Sequence, residues 1–540
     1  MSKTKFIFVT GGVLSGLGKG VTAASIGNLL RSRGFRVWMQ KFDQYLNVDA
    51  GTLNPNEHGE VFVLDDGAET DLDLGHYERY IDTNLNRSSS VMTGQLYQEI
   101  LENERAGKFL GKTIQMIPHI TDAVKRRILE AAEKNKAEVS IIEIGGTIGD
   151  YEGVHFVEAI RQMRHDVGLE NTLYVHVGFL PYLGASEEIK TKPLQNSVHD
   201  LQKMGIQPDV VIARSDYPVA GSHLDKIALF TGVEREAVIP LETVDSIYKV
   251  PAILQNWNIE KIIAKKLKLK MPEKDGHNWL KFVKRLEKID KSDQEIHIGL
   301  VAKYLGLKDT YFSVTESLKI AGVYNNTKIA IDWIDAEEIE KDPENIAEIL
   351  KNIDGIVVPG GFGGRGIEGK ILAIKFAREN KIPFLGLCYG MQLATIEFAR
   401  NIAGLKDANT TEINKKTPYP VIHIMPEQEK LLEGDNYGGT MRLGAYDCKL
   451  TPDTISFKAY HDSLISERHR HRYEFNNDYR QILEEKGLVI AGTSPSGKLV
   501  EIVEIKNHPF FVGVQFHPEF KSRPLSPHPL FLEFVKSSLK

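Results

Sequence analysis

The sequence predicts an α/β protein built from two parallel-sheet domains. Three observations carry this reading: short apolar runs that end in glycine or polar turns, helical segments of crossover length between them, and a lysine-rich stretch separating two such series. A chain of 540 residues is also too long for one ordinary core, and its length suggests two to four domains.

In the first series, residues 6–9 (FIFV) form a strand that runs into glycines. Residues 21–33 show helical periodicity closed by Gly34, and residues 35–39 return to strand character. Residues 139–144, 172–177 and 210–213 are further strands ending before Gly145, Gly178 and Arg214. The lysine-rich stretch follows, read as a solvated linker with one amphipathic helix over 279–289; acidic residues interrupt it, which argues against a nucleic-acid-binding tail. In the second series residues 296–301, 328–333, 355–358 and 383–387 are strands, and 391–400 a helix. Functional residues are expected at the carboxyl ends of the strands.

Composition narrows the class. Apolar residues at 42% and charged residues at 26% are ordinary for a globular chain, and 67 basic against 73 acidic side chains give −6, against a general nucleic-acid binder. Two cysteines cannot build a disulfide framework, no run reaches the length of a membrane helix, and the first residues lack a signal-peptide core, so a cytoplasmic protein is expected.

"GGVLSGLGKG", residues 11–20, follows the first strand and opens the first helix, where backbone N–H groups and the helix terminus cradle phosphate. The match to the Walker pattern is imperfect, because Gly20 stands where a magnesium-binding Ser or Thr belongs. Carboxylates must then hold the cation. Asp71 and Asp73 lie two apart in "ETDLDLGHYER", and Glu143 is a charge inside the apolar run "VSIIEIGG", so Asp73 with Glu143 could complete a magnesium site. Lys190 and Lys192, with Lys41, would suit a second polyphosphate beside the first.

In "LGLCYGMQ" Cys388 occupies a sharp strand-to-helix turn between glycines, the pattern of a nucleophile elbow. The glycine turn at 359–364 offers N–H groups for an oxyanion. "VGVQFHPEF" offers a base: on an extended strand His517 and Glu519 share a side, so Glu519 can orient the imidazole that activates Cys388. Cys448 has no such companions and reads as a core residue.

These motifs carry a resemblance. "GLCYGMQ" with "FHPE" resembles a class I, triad-type glutamine amidotransferase domain. "GGVLSGLGKG", "DGAETDLDLGHYER", "EIGGTIGD" and "KTKPLQNSVHD" resemble the synthetase domain of the CTP synthase family, and "ERHRHRYEFN" is specific to that family. The resemblance covers essentially the whole chain. It implies a P-loop-like amidoligase domain over 1–268, a linker with a short helix over 269–293, and an amidotransferase domain over 294–540.

The resemblance implies that Cys388, His517 and Glu519 hydrolyse glutamine through a γ-glutamyl thioester. Gly361, Tyr389, Gly390, Met391, Gln392, Glu412 and Arg472 would hold glutamine and its oxyanion. ATP would lie on Gly16, Leu17, Gly18, Lys19, Gly20 and Val21, near Asp73, Glu242, Thr243 and Val244, with Mg2+ on Asp73 and Glu143. UTP, and CTP as feedback inhibitor, would bind around Ser15, Asp150, Tyr151, Glu152, Lys190, Thr191, Lys192, Pro193, Leu194, Gln195 and Lys226. ATP would phosphorylate the uracil O4, and ammonia would then displace phosphate. GTP would activate the glutaminase half, with Phe362 and Arg365 on the matching lid, in a homotetramer assembled as a dimer of dimers. The chain departs from the family pattern at Gly16 and Leu194, where Ser and Thr are usual. A cobyrinate-amidase type of amidotransferase and a non-catalytic filament protein are the competing readings; "KTKPLQ" argues against the first and the intact triad against the second.

Overall fold

Apolar residues on both faces of a short run make a strand that must be covered on both sides, and seven such runs build the first sheet. They are β1 (Lys5–Gly11), β2 (Val37–Asp43), β3 (Ser90–Met92), β4 (Val139–Ile144), β5 (Thr172–Phe179), β6 (Val210–Ser215) and β7 (Val238–Glu242). Their order is β7-β6-β5-β1-β4-β2-β3, and every pairing is parallel. On one side of β1 the strands run outward as β5, β6 and β7 and on the other stand β4, β2 and β3, so the chain switches sides at β1, whose carboxyl end opens at the crevice where parallel sheets bind ligands. Helix α1 (Lys19–Ser32) starts there, and α2 (Asp73–Ile81) packs against it. The strands expected from sequence are all present. β3 and β7 were not separated by sequence pattern: the former has three residues, and the latter carries Pro240, which an edge strand tolerates.

The computed structural model describes residues 4–272, 277–303, 305–424 and 441–539. They fall into two compact units, Met1–Asp49 with Asp73–Val283, and Ala50–Leu72 with Lys284–Lys540. The units are thus not continuous in sequence, because 50–72 leaves the first and returns to it. Helix α3 (Lys192–Lys203) lies in the first unit, and the boundary near 283 falls inside helix α4 (His277–Asp290), within the lysine-rich stretch. Aromatic side chains are the reason. Trp279 and Phe282 are buried in the first unit against Tyr80 and Tyr248, and the Trp279 indole N–H donates to Tyr248 O at 3.0 Å.

The second unit holds a nine-stranded sheet: β8 (Glu295–Ala302), β9 (Lys328–Asp335), β10 (Gly355–Val358), β11 (Phe384–Leu387), β12 (Arg442–Leu450), β13 (Leu464–His471), β14 (Leu488–Thr493), β15 (Val500–Ile505) and β16 (Phe511–Val514). The order is β9-β8-β10-β11-β16-β15-β14-β12-β13. From β9 to β16 it is parallel, as the sequence implied, and from β16 onward it continues antiparallel. Helices α5 (Phe312–Tyr324) and α6 (Tyr389–Asn401) flank it. Among the described residues no helix is long and apolar enough to cross a membrane.

The motif "RHRHR" now has a physical reading. Arg468 and Arg470 leave one face of β13 and pair with Asp65 Oδ1 at 2.5 Å and Glu69 Oε1 at 2.7 Å, fastening the 50–72 segment to this unit. His469 and His471 leave the other face and are buried, with Nδ1 of the former 3.0 Å from Nε2 of the latter. Glu60 completes the attachment by accepting the Ser313 N–H at 2.9 Å, at the start of α5.

Candidate functional sites

In the first unit, the glycine loop leaves β1 and enters α1 through Gly18 in the left-handed region, φ 79°. Gly20 lacks a side chain for a steric reason: a Cβ there would lie 2.4 Å from Asp73 Oδ1 and 3.3 Å from Glu143 Oε2. The two carboxylates thus stand against the first turn of the helix, beside the place where a Walker Ser or Thr would reach. Lys41 Nζ pairs with Asp73 and lies 3.3 Å from Asp43 Oδ1, while the Tyr77 hydroxyl donates to Glu143. Burial would raise the Asp73 carboxyl, but Lys41 beside it prevails and holds it below the ordinary range. Glu143 goes the other way, pushed up to about 7 by burial and by the Asp73 charge.

Among the described residues no group of three or more His, Cys, Asp or Glu side chains is placed to hold a metal ion. Two carboxylates facing the glycine loop at Gly20 fit a hard divalent cation, a group that takes one or two carboxylates and fills the rest of its shell with other oxygens. Asp71 falls in the second unit. Lys19 Nζ donates to Gly146 O, and burial lowers its pKa despite Glu143.

The remaining first-unit candidates follow the carboxyl ends of β1, β4, β5, β6 and β7. Asp150 accepts the Thr147 N–H at 2.8 Å, and Ile148 N–H donates to Gly11 O at 2.8 Å, tying the 145–150 loop to the glycine loop. Tyr151 is 93% exposed, and Ser15, Gly16 and Glu152 are exposed too. Leu17 is buried, and Val21 lies in α1. Lys190 pairs with Glu188, Lys192 and Pro193 open α3, and Gln195 Nε2 donates to Thr191 Oγ1 at 3.1 Å. Leu194 is wholly buried on β5, where a Cβ at Gly178 would lie 2.0 Å from its Cδ1; its apolar side chain fills the core. Lys226 is exposed and bears electrostatically on Glu188. Glu242 ends β7, the Thr243 hydroxyl donates to Asp216 Oδ1 at 2.6 Å, and Val244 follows.

Sequence reasoning missed two supports here. Arg214 donates to Leu17 O at 3.1 Å and Leu241 O at 3.0 Å, linking the glycine loop to the 242–244 turn. A cation ending an apolar strand was the available signal. His176 joins Thr10 Oγ1 at 3.0 Å to Ser197 Oγ at 2.9 Å, below Gly12, so the loop and α3 share one buried network. Burial and Lys19 hold this imidazole down to about 3, hence neutral.

In the second unit Cys388 sits between β11 and α6 with φ 50° and ψ −98°, a strained conformation for a non-glycine residue. Both flanking glycines are required by packing. A Cβ at Gly390 would lie 2.2 Å from Val358 O, and one at Gly386 2.8 Å from the Gly390 carbonyl carbon. Gly390→Ala should therefore destabilise this unit by about 3 kcal/mol; a urea midpoint equal to that of the parent would contradict the packing argument.

His517 Nδ1 donates to Glu519 Oε1 at 2.7 Å, and the ring stacks on Phe520 with centroids 5.0 Å apart. Burial opposes a charged imidazole, but the Glu519 carboxylate and Cys388 outweigh it and push His517 up to about 10. The sequence placed His517 and Glu519 on an extended strand; instead β16 stops at Val514 and His517 starts a tight turn, Pro518–Phe520. The turn, rather than strand alternation, brings the carboxylate to the ring. A Cβ at Gly360 would lie 2.8 Å from His517 Cε1 and 3.7 Å from Cys388 Cβ, so the glycine turn closes over both.

A cavity of about 450 Å³ opens beside Cys388, lined among others by Gly361, Gln392, Glu412, Arg470, Arg472 and His517. Gln392 Nε2 donates to Tyr473 O at 2.9 Å and Gln515 Oε1 at 3.2 Å, and Gln515 Nε2 approaches Cys388 Sγ at 3.7 Å. Met391 is wholly buried in the first turn of α6. Burial raises the Glu412 carboxyl; the Gly363 N–H at 2.7 Å, Lys303 and Arg472 oppose this. Phe362 is exposed on the loop, and Arg365 Nε pairs with Glu337 Oε1 at 3.1 Å. Cys448 is a core residue, its thiol pushed up by burial, then by Glu501 and Glu467.

Lys370, missed by sequence reasoning, is wholly buried under the glycine loop, and its Nζ has no hydrogen-bond partner among the described residues. Burial, with Lys303 adding to it, lowers it to about 7. Its folded pKa lies below the unfolded value, so from about pH 7 upward the unfolded chain binds more protons and stability rises with pH. The urea midpoint of the parent should thus gain more between pH 7 and 9 than that of Lys370→Met; equal gains would remove the buried charge from the account.

The description "CTP synthase N-terminus" matches residues 5–269, and "Glutamine amidotransferase class-I" matches residues 306–537. A CTP synthase of Carboxydothermus hydrogenoformans is 55% identical over 537 residues, which cover 99% of each chain. The chain belongs to the CTP synthase family. A CTP synthase of Bacillus subtilis is 53% identical over 537 residues, again 99% of each chain. The glutaminase domain of a Trypanosoma brucei CTPS, solved with bound acivicin, is 39% identical; the match covers 45% of this chain and 93% of that one, with a TM-score of 0.42. Membership of the CTP synthase family accounts for both constellations in one chain: a glycine loop with paired carboxylates and a cysteine elbow with a His–Glu pair.

Proposed function

We infer that the chain converts UTP to CTP with nitrogen taken from glutamine, using ATP, as an enzyme of pyrimidine nucleotide biosynthesis. The observation that carries this is the occurrence of both constellations in a CTP synthase family chain: Cys388 with His517 and Glu519, and the loop 11–20 with Asp73 and Glu143. Cys388 Sγ attacks the glutamine amide carbon as thiolate, the C–N bond breaks as His517 delivers its proton to the leaving nitrogen, and water hydrolyses the thioester. Glu519 keeps the imidazole oriented and charged until that transfer. Glu412 and Arg472 supply an anion and a cation for the ammonium and carboxylate of the amino acid, while Gly361, Tyr389, Gly390, Met391 and Gln392 present backbone to its reacting end.

In the other site, the glycine loop, Lys19 and the 242–244 turn hold ATP, with Arg214 bracing the loop. Asp73 and Glu143 would hold a magnesium ion, which supplies neutralising charge to the phosphates when bound. Lys190, Lys192 and Lys226, with Ser15, Asp150–Glu152 and the Thr191–Gln195 turn, receive UTP, or CTP as inhibitor. The γ-phosphoryl group passes to the uracil O4, ammonia adds to C4, and phosphate leaves with the former oxygen. GTP acts on the loop carrying Phe362 and Arg365, and the chain works in the cytoplasm as a tetramer. Purified protein given UTP, ATP, magnesium and glutamine should form CTP. Absence of CTP with both glutamine and ammonia would remove the reading.

A further inference from the structure

Tyr389 follows the nucleophile directly, and its side chain is only 2% exposed. It reaches from the first turn of α6 to the glycine loop after β10, where its hydroxyl donates to Gly363 O at 3.2 Å. The N–H of the same glycine donates to Glu412 Oε1 at 2.7 Å, and the preceding carbonyl, Phe362 O, accepts from Lys303 Nζ. Three side chains from three parts of the unit therefore hold successive polar groups of this loop. The ring also packs along the loop, since a Cβ at Gly361 would lie 3.8 Å from its Cδ1. Behind the ring, the buried Lys370 Nζ lies 5.8 Å from its centroid, within range of a cation–π contact that favours one ring placement.

We propose that the Tyr389 hydroxyl is a positioning group that ties the glycine loop to the nucleophile's own helix, fixing the loop's oxyanion donors relative to Cys388 before any nucleotide binds. This rests on the glutaminase reading above. When the thiolate adds to the amide carbon, the C=O electron pair moves onto oxygen, and that charge is stabilised only by donors already in place. Tyr389 exchanges no proton in the step. Its hydrogen bond makes loop and elbow a single body, so a shift of one carries the other.

Tyr389→Phe keeps the ring, its volume and the Lys370 contact and removes only the O–H. Without nucleotides, the kcat of glutamine hydrolysis should fall about tenfold with KM within about twofold, because a misplaced donor acts on the transition state. Alkylation of Cys388 by iodoacetamide, which needs the thiolate and no oxyanion donor, should keep its rate. Unchanged kcat would overturn the proposal. A parallel fall of hydrolysis and alkylation would too, because Tyr389 would then act on the elbow. A variant in which both cysteines alkylate has lost its fold, which would assign the hydroxyl to folding and equally contradict positioning. Tyr389→Leu should lose at least as much hydrolysis, and wild-type hydrolysis in it would be a second contradiction. If the parent protein itself hydrolyses no glutamine, the glutaminase reading fails instead.

Discussion

Cys388→Ala should lower glutamine-dependent CTP formation by at least about 10⁴-fold, the scale on which loss of a covalent nucleophile acts, and leave ammonia-dependent CTP formation within about twofold. The strained backbone at Cys388, its place beneath the glycine turn and the buried His517–Glu519 pair all serve one thiolate. Cys448 cannot replace it, being wholly buried with its thiol pushed up. Alanine fits the elbow without new atoms, so the fold is kept. Steady-state assays with glutamine and then ammonium chloride as nitrogen donor check this, and equal loss with both donors would refute separable sites.

The opposite pattern is expected from Lys19→Ala and from Glu143→Gln. CTP formation should fall by about 10³-fold with either nitrogen donor, the scale of losing a charge that faces transferring phosphate, while hydrolysis of glutamine without nucleotides stays near the parent value. Glu143→Gln keeps the Tyr77 contact possible and removes the charge opposite Gly20. Glutaminase assays run beside CTP assays separate the two activities. CTP formation preserved in both variants would remove the loop and its carboxylates from nucleotide chemistry.

Much of this was legible in the sequence because parallel strands buried on both faces leave unbroken apolar runs, and glycine-rich turns mark their carboxyl ends. β4 and β10 were read to the residue for that reason. The antiparallel strands β12 to β15 were not, since polar and charged side chains such as Arg468, His469, Glu501 and Glu504 are buried in them and break any alternation. The Cys388, His517 and Glu519 set was legible by residue type, although the tight turn at 518–520 does what strand geometry was expected to do. Gly20 shows the limit in the other direction. Its missing side chain read as a defect in a phosphate-binding motif, yet Asp73 and Glu143 occupy the space a side chain would need.

The allegiance of 50–72 was not legible, because it rests on single ion pairs between residues some 400 apart in sequence, Arg468 with Asp65 and Arg470 with Glu69. Lys370 was hidden likewise, and Tyr389, implied by the resemblance as a glutamine-binding residue, gave no sign of its hydroxyl's contact with Gly363 O. A lysine in an amphipathic helix reads as surface, and only the fold puts its ammonium behind an aromatic ring under the glycine loop.

The central claim is that the nitrogen freed at Cys388 becomes the amino nitrogen of CTP. Incubating the protein with UTP, ATP, magnesium and glutamine labelled with nitrogen-15 at the amide, and weighing the product by mass spectrometry, tests it directly. One heavy nitrogen in CTP, lost in Cys388→Ala, is the predicted result; unlabelled CTP, or label persisting in that variant, would contradict it.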